Sequence, residues 1–160
     1  MATIKKNIQT SGLFVELTKS QTENFQIIRK HWVHFNKELK KYKLNQGGGN
    51  WVKYGITFKS GERYFYLTAI PTNHLLFPDH FSYKEIPKGE YKIFSHHGNM
   101  ENMKHTYVEI YKVILPKSNL EIQDHSKTGF IHFEKYDWRF RWNNPGSVID
   151  IYLPLNTDFD

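Results

Sequence analysis

Apolar positions along the chain follow two periods, and each period occurs twice. Residues 13–17 form a short apolar run with strand character. After it, Phe25, Ile28, Trp32, Phe35 and Leu39 recur at spacings of three and four, which predicts one face of a helix over residues 21–41. Ser20 and Glu23 stand at its start as a capping box. The glycine tract 45–50 ends it as a loop. No Lys-Ser/Thr follows the tract, so it does not read as a phosphate-binding loop. Residues 51–59 then alternate, with Val52, Tyr54, Ile56 and Phe58 on one side. Ser60-Gly61 turns the chain. Residues 63–70 return with Tyr64, Tyr66 and Thr68 on one face and Phe65, Leu67 and Ala69 on the other.

Residues 71–80 read as a connector carrying two prolines, and the order then repeats. Residues 90–96 predict a strand. Gly98-Asn99 turns the chain, and Asn99 is placed to N-cap a second helix over residues 100–115. Met100, Met103, Tyr107, Ile110, Tyr111 and Ile114 lie on its apolar face, and Pro116 ends it. Residues 129–137 and 148–155 predict the last two strands. The fold class expected is therefore α+β, with two β-α-β-β repeats related by a pseudo-twofold axis. Repeat one covers about 12–71, repeat two about 83–156, and the single domain 1–160. Their strands join into one antiparallel sheet with both helices on one face. The opposite face, or the groove where the halves meet, is then left for function.

Composition narrows the chemistry. No apolar run approaches the roughly 18 residues of a spanning helix, and residues 1–9 lack the apolar centre of a secretory signal. There is no cysteine, which removes disulfides, thiolate catalysis and thiolate metal ligands and fits the cytoplasm. The net charge is +6, but the densest basic stretch, Lys37, Lys40, Lys41 and Lys43, sits at a helix C-terminus, where cations meet the negative end of the helix dipole. Aromatic residues reach 16%, including 10 Tyr and 4 Trp. Such a surplus suits a ligand pocket and equally a β-rich core. The nine histidines show no metal-ligand motif, and His96 and His97, adjacent on a strand, point to opposite faces. No metal or cofactor is expected. No serine-nucleophile elbow is present.

The second half carries an ordered set of words: Tyr83 to Tyr91, Phe94-Ser95-His96-His97-Gly98, Thr106 to Tyr111, Leu115 to Ser118, Phe133-Glu134-Lys135-Tyr136-Asp137 and Ile149 to Pro154. The first half adds Gly12-Leu13-Phe14, Ile28 to Trp32 and Tyr54-Gly55-Ile56. Over residues 12–156 the chain resembles the GyrI-like small-molecule-binding family, which also supplies the effector-binding domain of AraC-type and MerR-type transcription regulators. The resemblance implies the fold just described, an aromatic cleft between the repeats, and a buried glutamate in it that receives flat, hydrophobic cations. The matching residue is Glu134. It departs from the family in the loop 138–146, rich in Trp and Arg, in Asp150, and in Lys59, Arg63, Arg139 and Arg141, which make the neighbourhood more basic and admit a neutral or anionic ligand.

On spacing alone, Glu134 reads as solvent-facing; the resemblance reverses that. Tyr54, Tyr66 and Tyr152 are divided between cleft wall and core. Trp32 and Tyr111 read as core, though Trp32 stays among the ligand-binding candidates with Glu134, Tyr107, Tyr152, Tyr54 and Tyr66. The expected function is a stand-alone domain that senses or sequesters amphipathic aromatic compounds, an accessory to transcription regulation. No helix-turn-helix is expected, so no direct nucleic-acid contact. No membrane partner is expected either, and the chain is read as a monomer or weak dimer. The alternatives are a hydrolase using Glu134 with a pocket tyrosine, and an inhibitor module acting through its surface.

Overall fold

A computed structural model of the chain describes residues 1–45, 48–142 and 144–157. Gln46 and Gly47 of the expected loop and Asn143 of the second loop lie outside the described residues. The order is β1 (Ala2–Ile4), β2 (Ile8–Glu16), α1 (Gln21–Lys41), β3 (Lys53–Ser60), β4 (Arg63–Pro71), β5 (Ser82–Ile86) and β6 (Gly89–His97). A composite helix follows, then α4 (His125–Thr128), β7 (His132–Tyr136) and β8 (Val148–Pro154). All eight strands form one antiparallel sheet in the order β1-β6-β8-β7-β3-β4-β2-β5. Read outward from the central β3–β7 pair, each half runs second strand of its repeat, third strand, first strand, then an edge strand.

The first helix begins and ends where its pattern predicts. Ser20 accepts from the Glu23 N–H at 3.2 Å, half of the capping box. The other half is replaced: the Ser20 N–H donates to Thr18. The second helix is broken into pieces. Met100–Asn102 is a 3-10 turn, Met103–Glu109 is α-helical (α2), Ile110–Ile114 is a π segment and Leu115–Lys117 closes it as α3. Pro116 has no N–H, so it cannot serve the carbonyl one α-turn back. The chain widens instead, and the Leu115 N–H donates to the Ile110 carbonyl. Asn99 makes no side-chain cap, and its buried Oδ1 has no hydrogen-bond partner.

Two strands were not legible from the pattern. β1 pairs with β6 at one end of the sheet, and β5 pairs with β2 at the other. β1 has only three residues, and β5 has five, mostly polar.

The sheet has a core on each face. Trp32, Phe35 and Leu39 of α1, with Met103 and Ile110 of the second helix, cover Leu13, Tyr66, Ile70, Tyr136, Ile149, Ile151 and Leu153. Both helices thus lie on one face. The other face gathers Tyr54, Ile56, Leu67, Ala69, Phe130 and Phe133, with Ile86 and Ile8 from one end of the sheet and Tyr91 and Ile4 from the other. Ends of one sheet can share a cluster only if the sheet curls around it. The opposite face is therefore filled, and the groove between the halves on the helix side is what remains.

Candidate functional site

The β3–β7 pair is where the halves meet, and its register builds the site. Gly55 lies opposite Glu134, and Lys53 opposite Tyr136. Side chains two apart on a strand share a face, so Glu134 and Tyr136 both rise toward the helices. Tyr66 on the neighbouring β4 rises with them. Glu134 is buried, 6% exposed. Three tyrosine hydroxyls donate to it: Tyr66 to Oε1 at 2.6 Å, Tyr136 to Oε1 at 2.7 Å and Tyr107 to Oε2 at 2.6 Å. Trp32 Nε1–H in turn donates to the Tyr66 oxygen at 3.1 Å. Tyr107 comes from the second helix and Trp32 from the first, so both helices and both halves close on one carboxylate.

Gly55 makes the bond between Tyr66 and Glu134 possible. A Cβ at this position would stand 1.9 Å from the Tyr66 hydroxyl and 2.8 Å from Glu134 Oε1. With no side chain on β3, the tyrosine crosses the strand to reach the carboxylate.

Among the described residues no cation forms an ion pair with Glu134. Burial raises its pKa above the usual carboxylate value. The three tyrosine bonds oppose this, as does the nearby His96. Burial and the Glu134 charge push Tyr66, Tyr107 and Tyr136 well above the ordinary phenol range. These groups hold their protons. They suit the binding of charge and are poor proton donors for catalysis at neutral pH.

A small aromatic cleft, of about 60 Å³ and open to solvent on one side, adjoins this cluster. Trp32 and Tyr136 form its inner wall, and Trp51, Phe140, Trp142 and Met100 extend it, with Asn36 and Lys53 at the mouth. Glu134 stands behind the wall rather than on it. Its charge reaches the cleft through the Tyr136 hydroxyl and through the Trp32–Tyr66 relay.

Of the sequence candidates, Glu134, Tyr66, Tyr107 and Trp32 are brought together. Tyr54 and Tyr152 are not. Tyr54 pairs with Lys135 and Tyr152 with Phe133, each one residue out of phase with Glu134, so both point to the opposite face and pack in its core. Burial raises the Tyr54 pKa to about 12. Tyr136, Gly55, Lys53, Trp51, Phe140 and Trp142 were not singled out for the site. Tyr136 carried a signal, two residues from Glu134 on one strand. The cleft aromatics come from loops, where no period exists to read. Two of the three arginines that made the region look basic are neutralised elsewhere: Arg63 pairs with Glu16, and Arg139 with Asp137 and Asp150.

His132 lies beside the cluster. Its ring is 4.7 Å from that of Tyr107, and its Nδ1 is 2.7 Å from the Tyr111 hydroxyl. Burial lowers its pKa from 6.5 to about 4. A base whose folded pKa is depressed takes up a proton more readily when unfolded. Stability should therefore fall as pH drops from about 6.5 toward 4. This group alone should cost up to about 2 kcal/mol between pH 7 and pH 5. Urea titrations at the two pH values check this against His132→Gln, whose pH dependence should be shallower. Equal slopes would remove His132 as the cause.

A fold of two such halves, closing on one buried carboxylate beside an aromatic cleft, defines an effector-binding domain of the GyrI-like kind. A family model, Cass2, described as an integron-associated effector binding protein, matches residues 3–155. The chain belongs to this family. It is 33% identical over 72 residues to the transcriptional regulator BrlR of Pseudomonas aeruginosa, a match covering 44% of this chain and 25% of BrlR. The matched part is thus about a quarter of that relative. Among solved structures, SAV2435 bound to tetraphenylphosphonium has a TM-score of 0.70 at 13% identity, covering 98% of this chain and 92% of that one. The integron cassette protein VCH_CASS2 of Vibrio cholerae has 0.61 at 16%, covering 97% and 94%. EcmrR, in a complex with DNA, has 0.67 at 10%, covering 98% of this chain and 56% of EcmrR. At these identities the likeness is one of fold. No helix among the described residues is long and apolar enough to cross a membrane.

Proposed function

We propose that this protein binds amphipathic aromatic compounds, cations foremost, in the cleft between its two repeats, and so senses or sequesters them. The observation that carries this reading is the Glu134 carboxylate, buried without an ion-pair partner among the described residues and held by three tyrosines directly behind the aromatic wall. A buried carboxylate lacking a cation is costly. A cation stacked on Trp32 and Tyr136 gains ring attraction of about 0.5–2 kcal/mol and faces the charge behind them. The family's effector-binding description supports the reading, as does SAV2435, which binds a lipophilic cation.

A single domain over 1–160 acting in the cytoplasm, as a monomer or weak dimer without its own nucleic-acid contact, belongs to the same proposal. So does a role as an accessory to transcription regulation, which the likeness to BrlR supports. Four tryptophans, three of them on the cleft, make intrinsic fluorescence the natural test. Titration with tetraphenylphosphonium should quench it saturably. The neutral triphenylphosphine oxide should bind about tenfold or more weakly. Absence of saturable change with either compound would overturn the reading.

A further inference from the structure

Lys53 is the one charged side chain among the described residues lining the aromatic cleft. It opens β3 and is half-buried. Its ammonium donates to Asn36 Oδ1 at 2.8 Å and lies 5.5 Å from the centre of the Trp51 ring. Neither partner cancels its charge. No carboxylate stands within ion-pair distance of it among the described residues. This separates it from Arg63 and Arg139, which are paired. A second cation without an ion pair among the described residues, Arg29, lies 5.7 Å from the centre of the Trp142 ring, another wall of the cleft. The mouth is thus positive, while the negative charge stands behind the inner wall.

Register sets the spacing of these charges. Lys53 is opposite Tyr136 and Gly55 opposite Glu134, so the two positions are two residues apart along paired strands, about 7 Å. An aromatic ring system spans that distance. A purely cationic ligand filling the cleft would cover Lys53 and leave its ammonium buried without a counter-charge. Burial already holds that ammonium below the usual lysine range.

We infer that Lys53 is a specificity-determining residue that selects aromatic ligands carrying an anionic group, such as a ring carboxylate, at the end facing the cleft mouth. The preferred ligand is then a flat aromatic cation that also carries an anionic group, a zwitterion, rather than a simple lipophilic cation. The inference rests on the proposed binding site and adds the chemistry of the ligand's outer end.

A matched pair of permanently charged probes tests it: N-methylquinolinium and its ring-carboxylated counterpart, titrated by calorimetry into the full chain. Wild type should bind the carboxylated probe about tenfold more tightly. Lys53→Met should abolish that preference while leaving N-methylquinolinium bound as tightly as in wild type or more so. Lys53→Arg should restore part of the preference, and thermal melts of both variants establish that they fold. Equal wild-type affinity for the two probes, or equal losses for both in Lys53→Met, would overturn the role of Lys53 and leave the cleft intact as a cation site. No binding of either probe would overturn the proposed function and this inference together.

Discussion

Glu134→Gln is expected to melt higher than wild type at pH 7 and to bind lipophilic cations much more weakly. The two effects have one origin. Burial raises the folded-state pKa of Glu134 above its unfolded value. A carboxyl group shifted upward contributes its stability below the unfolded pKa and loses it as pH rises through the folded pKa. Wherever the group is ionised, its charge is therefore a burden on the folded state. Gln keeps the shape, its carbonyl still accepts from Tyr66 and Tyr136, and its amide donates to the Tyr107 oxygen. Removing a buried charge in this way should contribute about 1–2 kcal/mol, or roughly 3–6 °C for a domain of this size. The gain should vanish below pH 4.5, where Glu134 is protonated in both states.

Binding moves the other way. A cation on the Trp32 and Tyr136 rings stands roughly 7 Å from the carboxylate, and at an effective dielectric of about 20 the attraction is about 2 kcal/mol. Tetraphenylphosphonium affinity should fall about 30-fold, and that of triphenylphosphine oxide should change little. Calorimetric melts and fluorescence titrations on one preparation read both effects. A variant that melts lower and binds the cation unchanged would remove Glu134 as the anchor.

The second large effect is expected from Gly55→Ala. The added methyl group would meet the Tyr66 hydroxyl at 1.9 Å and its ring carbon Cζ at 2.6 Å. Tyr66 is 1% exposed and in edge contact with Trp32, so it has nowhere to retreat. Either β3 moves away from β4, or Tyr66 swings off Glu134 and leaves a buried carboxylate with one donor fewer. Overpacking costs about 1–3 kcal/mol and a lost bond to a charged group about 1.5–3 kcal/mol. Urea unfolding should show a loss of about 3 kcal/mol, with cation binding lost along with it. A double variant, Gly55→Ala with Tyr66→Phe, separates the terms. Taking away the hydroxyl should return part of the stability, because the closest clash is with that atom. A Gly55→Ala protein with wild-type stability and affinity would show that this close approach is not what shapes the site.

Much of this was readable along the chain because it is periodic. Trp32, Phe35 and Leu39 fell on the helix face that is buried, and Tyr66 and Phe65 fell on the sides their alternation gave them. A strand's period of two also decides which residues can share a site. Tyr54 and Tyr152 were placed at the cleft as strand tyrosines near the junction. They failed because pairing register, which no single strand reveals, put them out of phase with Glu134. The second helix shows the converse. Met100, Met103 and Ile110 of its apolar face are buried as read, but Tyr111, read as core, is exposed, and the proline near its end turned part of a regular helix into a π segment.

The sequence by itself determined the two main helical segments, six of the eight strands and their order, because hydrophobic period, capping and turn chemistry are local. It also determined which residues could bear charge in an aromatic setting. Only the tertiary structure decided that Gly55 stands opposite Glu134, that three tyrosines from three elements share one carboxylate, and that loop aromatics wall the cleft. It also decided that Lys53 lines the cleft while Arg63 and Arg139 are held by carboxylates elsewhere. These facts depend on strand register and on contacts between residues far apart in the chain, and no local pattern encodes the distance between them.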